Sequence, residues 1–256
     1  MRKSQFLILG TVIFMAGFAS ANTLTVKSDA ALSGSQGLEV DYTGAASLAY
    51  VQSADRGTNP HPWDDEKDIN ISFVINPGKA GDTCYASGGD CFGRTPPDLS
   101  FPDHNPPNNP GEIRIGALYQ DWIVNGVKVV MFLKRSYADD AWRFSAWVRQ
   151  DDDNYTGACV LGGEGDLCGL GQTCVTEVTL SWSAASAPGA TDGSIRATRR
   201  QVVSGATEQT IFERTNLDND THHLNIFWVG SVDGNGANEL GSPTGAFYLD
   251  DFVITR

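Results

Sequence analysis

The chain closes on Tyr248-Leu249-Asp250-Asp251-Phe252-Val253-Ile254-Thr255-Arg256, a stretch with the composition of a β-strand and two adjacent carboxylates. Side chains alternate between the faces of a strand, so neighbouring aspartates diverge. Strict alternation puts Tyr248, Asp250, Phe252 and Ile254 on one face and Phe247, Leu249, Asp251 and Val253 on the other. Both faces are largely apolar, so one carboxylate enters covered surroundings, where an unpaired charge is costly. A cation, an arginine or several backbone N–H donors must meet it.

Other residues could do chemistry. Gln150-Asp151-Asp152-Asp153-Asn154 and Asp233-Gly234-Asn235-Gly236-Ala237-Asn238-Glu239 are rich in oxygen ligands. Neither has the spacing of a calcium-binding loop, so each reads as a turn first and a cation site second. His222 and His223 are adjacent and diverge on extended backbone, so they cannot chelate one metal together. The segment DNDTHH reads as a turn entering a strand over 224–232. Tryptophans offer stacking platforms for sugar rings. Trp182 and Trp228 lie in apolar runs and are expected in the core. Trp142 and Trp147 differ in parity, so one can face outward. Trp63 in NPHPWDD and Trp142 are the candidate ligand-binding residues.

The elements that must position these groups are strands. Alternating runs rich in β-branched and aromatic residues occur at 37–42, 47–52, 67–76, 112–119, 128–136, 142–149, 175–184, 194–201, 210–214, 224–232 and 246–255. Turns rich in Gly, Asn, Asp and Pro separate them, and no long helical periodicity occurs. Eleven such strands indicate an all-β, two-sheet antiparallel sandwich. Two segments break the rhythm and are expected as long loops: 77–111, which holds seven of the eleven prolines, and 150–173.

Arg2 and Lys3 precede an apolar run over 6–18 and then Ala19-Ser20-Ala21, the pattern of a secretory signal peptide. The expected mature chain is one domain over 22–256, secreted to the periplasm, surface or medium. Removing Arg2 and Lys3 leaves 16 basic against 31 acidic residues, a net charge of −15. That balance disfavours nucleic acid and anionic membrane as partners and suits cations such as calcium. No later run is long enough to insert in a membrane. Five cysteines suit an oxidising compartment. Cys84 and Cys91 bracket a Gly-rich tip and are expected to staple it. Cys159 is expected to pair with either Cys168 or Cys174, leaving one thiol over.

The spacing Tyr-x-Asp-x-Phe-x-Ile closing the chain resembles the final strand of concanavalin A-like jelly rolls, a group that includes laminin-G-like domains and laminarinase-type glycosidases. TLSWSAASAPGATDGSIRATR, followed by TNLDNDTHHLNIFWVGSVDG and GSPTGAFYLDDF, looks like the laminin-G-like order of strand, turn and returning strand. The resemblance covers the C-terminal half, 175–256, and includes uncharacterised secreted bacterial proteins. It implies a structural calcium held by Asp250, with Glu39 or Asp41 of LEVDY as the second carboxylate. The resemblance also implies that a hydrolytic member would carry E-x-D-x-x-E or E-x-D-x-E, the spacing that sets two carboxylates on one face for glycoside hydrolysis. E-x-D occurs at Glu39-Val40-Asp41, Glu66-Lys67-Asp68 and Glu164-Gly165-Asp166, each without the further glutamate. No lyase-type Gln-x-His strand occurs either. The expected function is therefore a non-catalytic exported module binding glycan or a surface partner. A polysaccharide-active enzyme with an unfamiliar site and a structural envelope component are the alternatives.

Overall fold

The computed structural model describes residues 23–43, 49–52, 66–78, 111–120, 127–136, 141–151, 159–168, 174–232 and 244–256. The expected leader over 1–21, the Cys84/Cys91 staple and Trp63 lie outside these residues. Among the described residues there are thirteen strands and a single 3-10 turn at Ser28–Ala30. The strands are β1 (Thr23–Lys27), β2 (Gly37–Thr43), β3 (Ala49–Gln52), β4 (Asp68–Asn76), β5 (Gly111–Tyr119), β6 (Val127–Ser136), β7 (Ala141–Arg149), β8 (Cys159–Cys168), β9 (Thr176–Ser183), β10 (Gly193–Gln201), β11 (Gln209–Leu217), β12 (Ile226–Ser231) and β13 (Thr244–Thr255).

They form two antiparallel sheets, a jelly-roll sandwich. One has seven strands in the order β1-β2-β13-β4-β9-β10-β11; the other has six, β3-β12-β5-β6-β7-β8. Alternation selects the inner faces. In β4, Ile69, Ile71, Phe73 and Ile75 are buried while Asp68 and Asn70 are exposed and Ser72 is half-buried. Val178, Leu180 and Trp182 of β9 and Trp142, Phe144, Ala146 and Val148 of β7 meet them from neighbouring and opposing strands.

The final strand departs from strict alternation. Asp250 lies opposite Val74 and Val253 opposite Ser72, so β13 carries one residue more than β4 across this interval. This is a β-bulge, with Asp251 at φ 51°. The extra residue shifts the parity. Phe247 and Leu249 face the interior before the bulge, and Phe252 and Ile254 pack on the core after it. Phe252 stacks on Phe73 with ring centroids 5.5 Å apart. The single pattern expected for Tyr248, Asp250, Phe252 and Ile254 is thus corrected: the last two turn inward because the bulge inverts the faces.

Two strands were not legible in sequence. β1 pairs with β2 along the outer margin of the seven-stranded sheet. β8 occupies much of the segment expected as a loop, and its Gly-rich run LGGEGDLC suits it to one place. β8 ends the six-stranded sheet where β11 ends the other. A Cβ on Gly163 would stand 2.4 Å from the Phe212 ring, and one on Gly165 would stand 2.6 Å from the Ile211 carbonyl oxygen. Glycine lets the two sheet margins meet without side chains between them. Arg199 of β10 and Arg214 of β11 then donate to the β8 carbonyls of Asp166 and Leu161, each at 2.6 Å.

Among the described residues a disulfide joins Cys168 to Cys174, Cα atoms 5.2 Å apart, and so Cys159 pairs with neither. Cys159 and Cys168 are opposite ends of β8, and an extended strand of that length holds them roughly 30 Å apart. Replacing Gly163 with alanine is expected to lower unfolding free energy by about 1–3 kcal/mol through overpacking against Phe212. Urea melts of the variant and parent measure it, and an unchanged midpoint would contradict the close approach.

Candidate functional site

Sheet pairing brings six outward-facing positions into one row across the six-stranded sheet: Gln52, Trp228, Ala117, Val130, Trp147 and Leu161. The row runs perpendicular to the strands, with neighbours roughly 5 Å apart. At one end Trp228 is covered: Tyr50 stacks on it at 4.1 Å between centroids with an interplanar angle of 11°, and Tyr119 packs on it at 4.7 Å. Ile226 and Val232 complete this small cluster, which is separate from the inter-sheet core. Trp228, expected in the core, is buried on the other side of its sheet. Toward the other end Trp147 and Leu161 are each 38% exposed.

Trp142 does not take the expected ligand-binding role. It is 0% exposed and packs between the sheets. Parity decides this: Trp142 shares the inner face with Phe144, Ala146 and Val148, whereas Trp147 shares the outer face with Arg143, Ser145 and Arg149. Trp147 is the exposed indole that the sequence left undecided.

A charged row lies beside Trp147. Lys134 Nζ donates to Glu164 Oε2 at 2.7 Å, Arg143 approaches Glu164 Oε1 at 3.5 Å, and Arg143 Nε donates to Asp166 Oδ1 at 3.2 Å. Between this row and Trp147, the Ser145 hydroxyl is fully buried and has no hydrogen-bond partner among the described residues. The Arg114 guanidinium sits over the Phe132 ring at 5.6 Å. Among described side chains, this face carries the cations Arg114, Lys134, Arg143 and Arg149 against the carboxylates Glu164 and Asp166. Cations thus exceed carboxylates here in a chain whose net charge is −13.

The suggested metal residues lie on the other sheet. Asp250 Oδ2 accepts hydrogen bonds from the Leu32 and Ser33 backbone N–H groups, each at 2.8 Å, and Oδ1 accepts from the Asp251 N–H at 2.8 Å. Ser33 Oγ also donates to Asp251. Three N–H donors therefore compensate Asp250, and calcium is not required to balance its charge. Glu39 is tied to Lys27 at 2.5 Å. Burial, reinforced by the negative charge of Glu39 and opposed by Lys27, raises the Asp41 carboxyl above its ordinary value. Glu39, Asp41 and Asp250 do not converge on one point. Among the described residues, only Asp151, Asp218 and Asp220 do, with ligand oxygens within 4.8 Å of one another, a spacing that suits a hard cation.

That acidic corner joins two stretches that read as unrelated turns. Asp151, just beyond β7, accepts from the Thr221 N–H at 3.0 Å and from the Thr221 hydroxyl at 2.7 Å. His222, 1% exposed, places Nε2 3.0 Å from Asp151 Oδ1. Burial works to raise the Asp151 carboxyl, but the Thr221 hydrogen bonds, the His222 charge and a hydrogen bond to Asp220 outweigh it and hold the group below its ordinary 3.8. The folded state therefore favours the ionised form, and its contribution is present above the unfolded value and lost as pH falls through the folded one.

No protein-family model matches this chain, and no curated protein matches it. Among solved structures, the endo-β-1,4-glucuronan lyase from the fungus Trichoderma reesei is similar, with TM-score 0.53 and 11% identity over 92% of this chain and 87% of that chain. The PL-14 alginate lyase from Aplysia kurodai gives TM-score 0.48 and 10% identity over 91% and 86% of the two chains. The catalytic domain of the glycoside hydrolase family 131 protein from Coprinopsis cinerea gives 0.32 and 12% over 91% and 77%. At such identity the Trichoderma likeness concerns the fold alone, and it agrees with the two-sheet jelly roll.

Asp250→Ala is expected to destabilise the protein by about 1–3 kcal/mol, since it strands the Leu32 and Ser33 N–H groups. The loss should be the same with calcium or with chelator; a loss seen only with calcium present would restore a metal role. Asp151→Asn should lower the melting temperature at pH 7. It should also flatten the decline in melting temperature below about pH 4; parallel acid declines in variant and parent would contradict the assigned role.

Proposed function

We propose that the protein is an exported, concanavalin A-like module that binds an acidic glycan along the transverse row of the six-stranded sheet without cleaving it. The observation that carries this reading is Trp147, an exposed indole between Val130 and Leu161 and beside the Lys134–Glu164–Arg143–Asp166 row. A sugar ring offers an apolar C–H face to an indole and hydroxyls to charged neighbours, so the two rows suit its two chemistries. The excess of cations over carboxylates on this face favours a uronate chain over a neutral one. The similar fungal protein, a glucuronan lyase by name, shares the fold and supports a carbohydrate ligand. The pattern over 1–21 supports export. The binding role, not bond cleavage, follows from the lack of a further glutamate beside any E-x-D pair.

Calorimetric titration with polyglucuronate, alginate and a neutral β-glucan provides the test. Trp147→Ala is expected to weaken uronate binding about tenfold with melting unchanged, whereas Trp142→Ala should destabilise the fold by about 3–5 kcal/mol. Full-strength binding by Trp147→Ala, equal affinity for the neutral glucan, or release of unsaturated sugar ends would overturn the respective parts of the reading.

A further inference from the structure

β1 ends the seven-stranded sheet and, among the described residues, pairs with β2 alone. A strand with one neighbour turns about half of its N–H and C=O groups away from the sheet, where they can template another strand. Thr23-Leu24-Thr25-Val26-Lys27 holds no proline, its pairing with β2 has no bulge, its one charge is already engaged, and among the described residues no further strand pairs with its outer side. Lys27 reaches Glu39 at 2.5 Å and Asp29 at 3.6 Å. At the opposite end of the same sheet β11 packs closely along β8, whereas β1 touches the other sheet only lightly, through Leu24 beside Gly230 and contacts with β3.

Val26 supplies an independent sign. It lies opposite Leu38, and Leu24 lies opposite Val40, so both β1 side chains are on the interior side of the sheet. Leu24 packs on the core, yet Val26 is 55% exposed. An interior-side valine in water marks an apolar position that the described residues leave open.

We infer that β1 is an association edge for a second copy of this chain, joined antiparallel through a two-fold axis at Thr25. Under that symmetry Thr25 meets its own copy, Leu24 meets Val26 and Thr23 meets Lys27. The exposed valine gains an apolar partner on each side of the axis. The two lysines avoid facing each other, which removes the repulsion that like charges directly opposite would cause. A second copy fits better than an unrelated strand because the five-residue pattern is complementary to itself. The two seven-stranded sheets would become one continuous sheet, with both Trp147 faces left clear of the junction.

Sedimentation velocity of the whole protein over a concentration series tests this, and it is independent of glycan binding. The parent is expected to shift reversibly from monomer to dimer mass. Val26→Lys and Thr25→Pro should remain monomeric, while Val203→Lys, an exposed valine away from β1, should still dimerise. Thr25→Cys adds a test of register, because mild oxidation should cross-link it as a dimer that the parent, with its native cysteines, does not form. A parent that stays monomeric throughout, or a dimer that survives both β1 substitutions, would overturn the inference. So would failure of Thr25→Cys to cross-link while dimerising. A parent that captures a different protein while staying monomeric would assign the edge to another partner and overturn self-association.

Discussion

The architecture depends on how β13 passes between β2 and β4 while keeping an apolar face toward the core along its length. Strict alternation cannot do this for the sequence FYLDDFVI, because the two aspartates put an odd, three-residue step between Leu249 and Phe252. The bulge at Asp250 and Asp251 absorbs that step. Phe247 and Leu249 stay inside before it, and Phe252 and Ile254 stay inside after it. The same local twist aims the Asp250 carboxylate at the N–H groups of Leu32 and Ser33. One device thus registers a central strand and anchors the segment between β1 and β2 to it. Charge compensation comes from backbone dipoles, which cost no second buried ion.

A comparable constraint operates at the far side of the sandwich. Two sheets can close on one another only where side chains do not fill the gap, and β8 meets that requirement by having few. Gly163 and Gly165 admit Phe212 and Ile211, and the arginines of β10 and β11 then bond to β8 carbonyls. The outward face of β8 is fixed by this closure. Glu164, Asp166 and Leu161 are carried to the end of the rows that contain Lys134, Arg143 and Trp147. Packing at the seam therefore determines the composition of the face proposed to bind glycan.

That face and the core divide the aromatic residues between them by parity. In β7 alone, Trp142 and Phe144 stabilise the interior while Trp147 stands in solvent. Across the sheet, Trp228 shows a third environment, buried outside the main core under Tyr50 and Tyr119. A tryptophan's role in this fold follows from which side of which strand it occupies, and composition is silent on that.

The amino-acid sequence determined the class of fold by itself, because alternating β-branched and aromatic runs have few ways to bury their apolar faces. Eleven of the thirteen strands were visible as such runs, and the opposite directions of Asp250 and Asp251 called for a compensating partner before any partner was known. β1 is only five residues long, and Gly162, Gly163 and Gly165 interrupt β8; the pairing of both comes from neighbours distant in the chain. Tertiary structure alone decided that Trp147 and not Trp142 faces outward, because parity gives two equal answers until one face is covered. It also decided that Cys168 joins Cys174, and that Asp151 meets Asp218 and Asp220 at one corner. Each of these is a distance between residues, and local preferences along a chain set directions and periods but no distances across it.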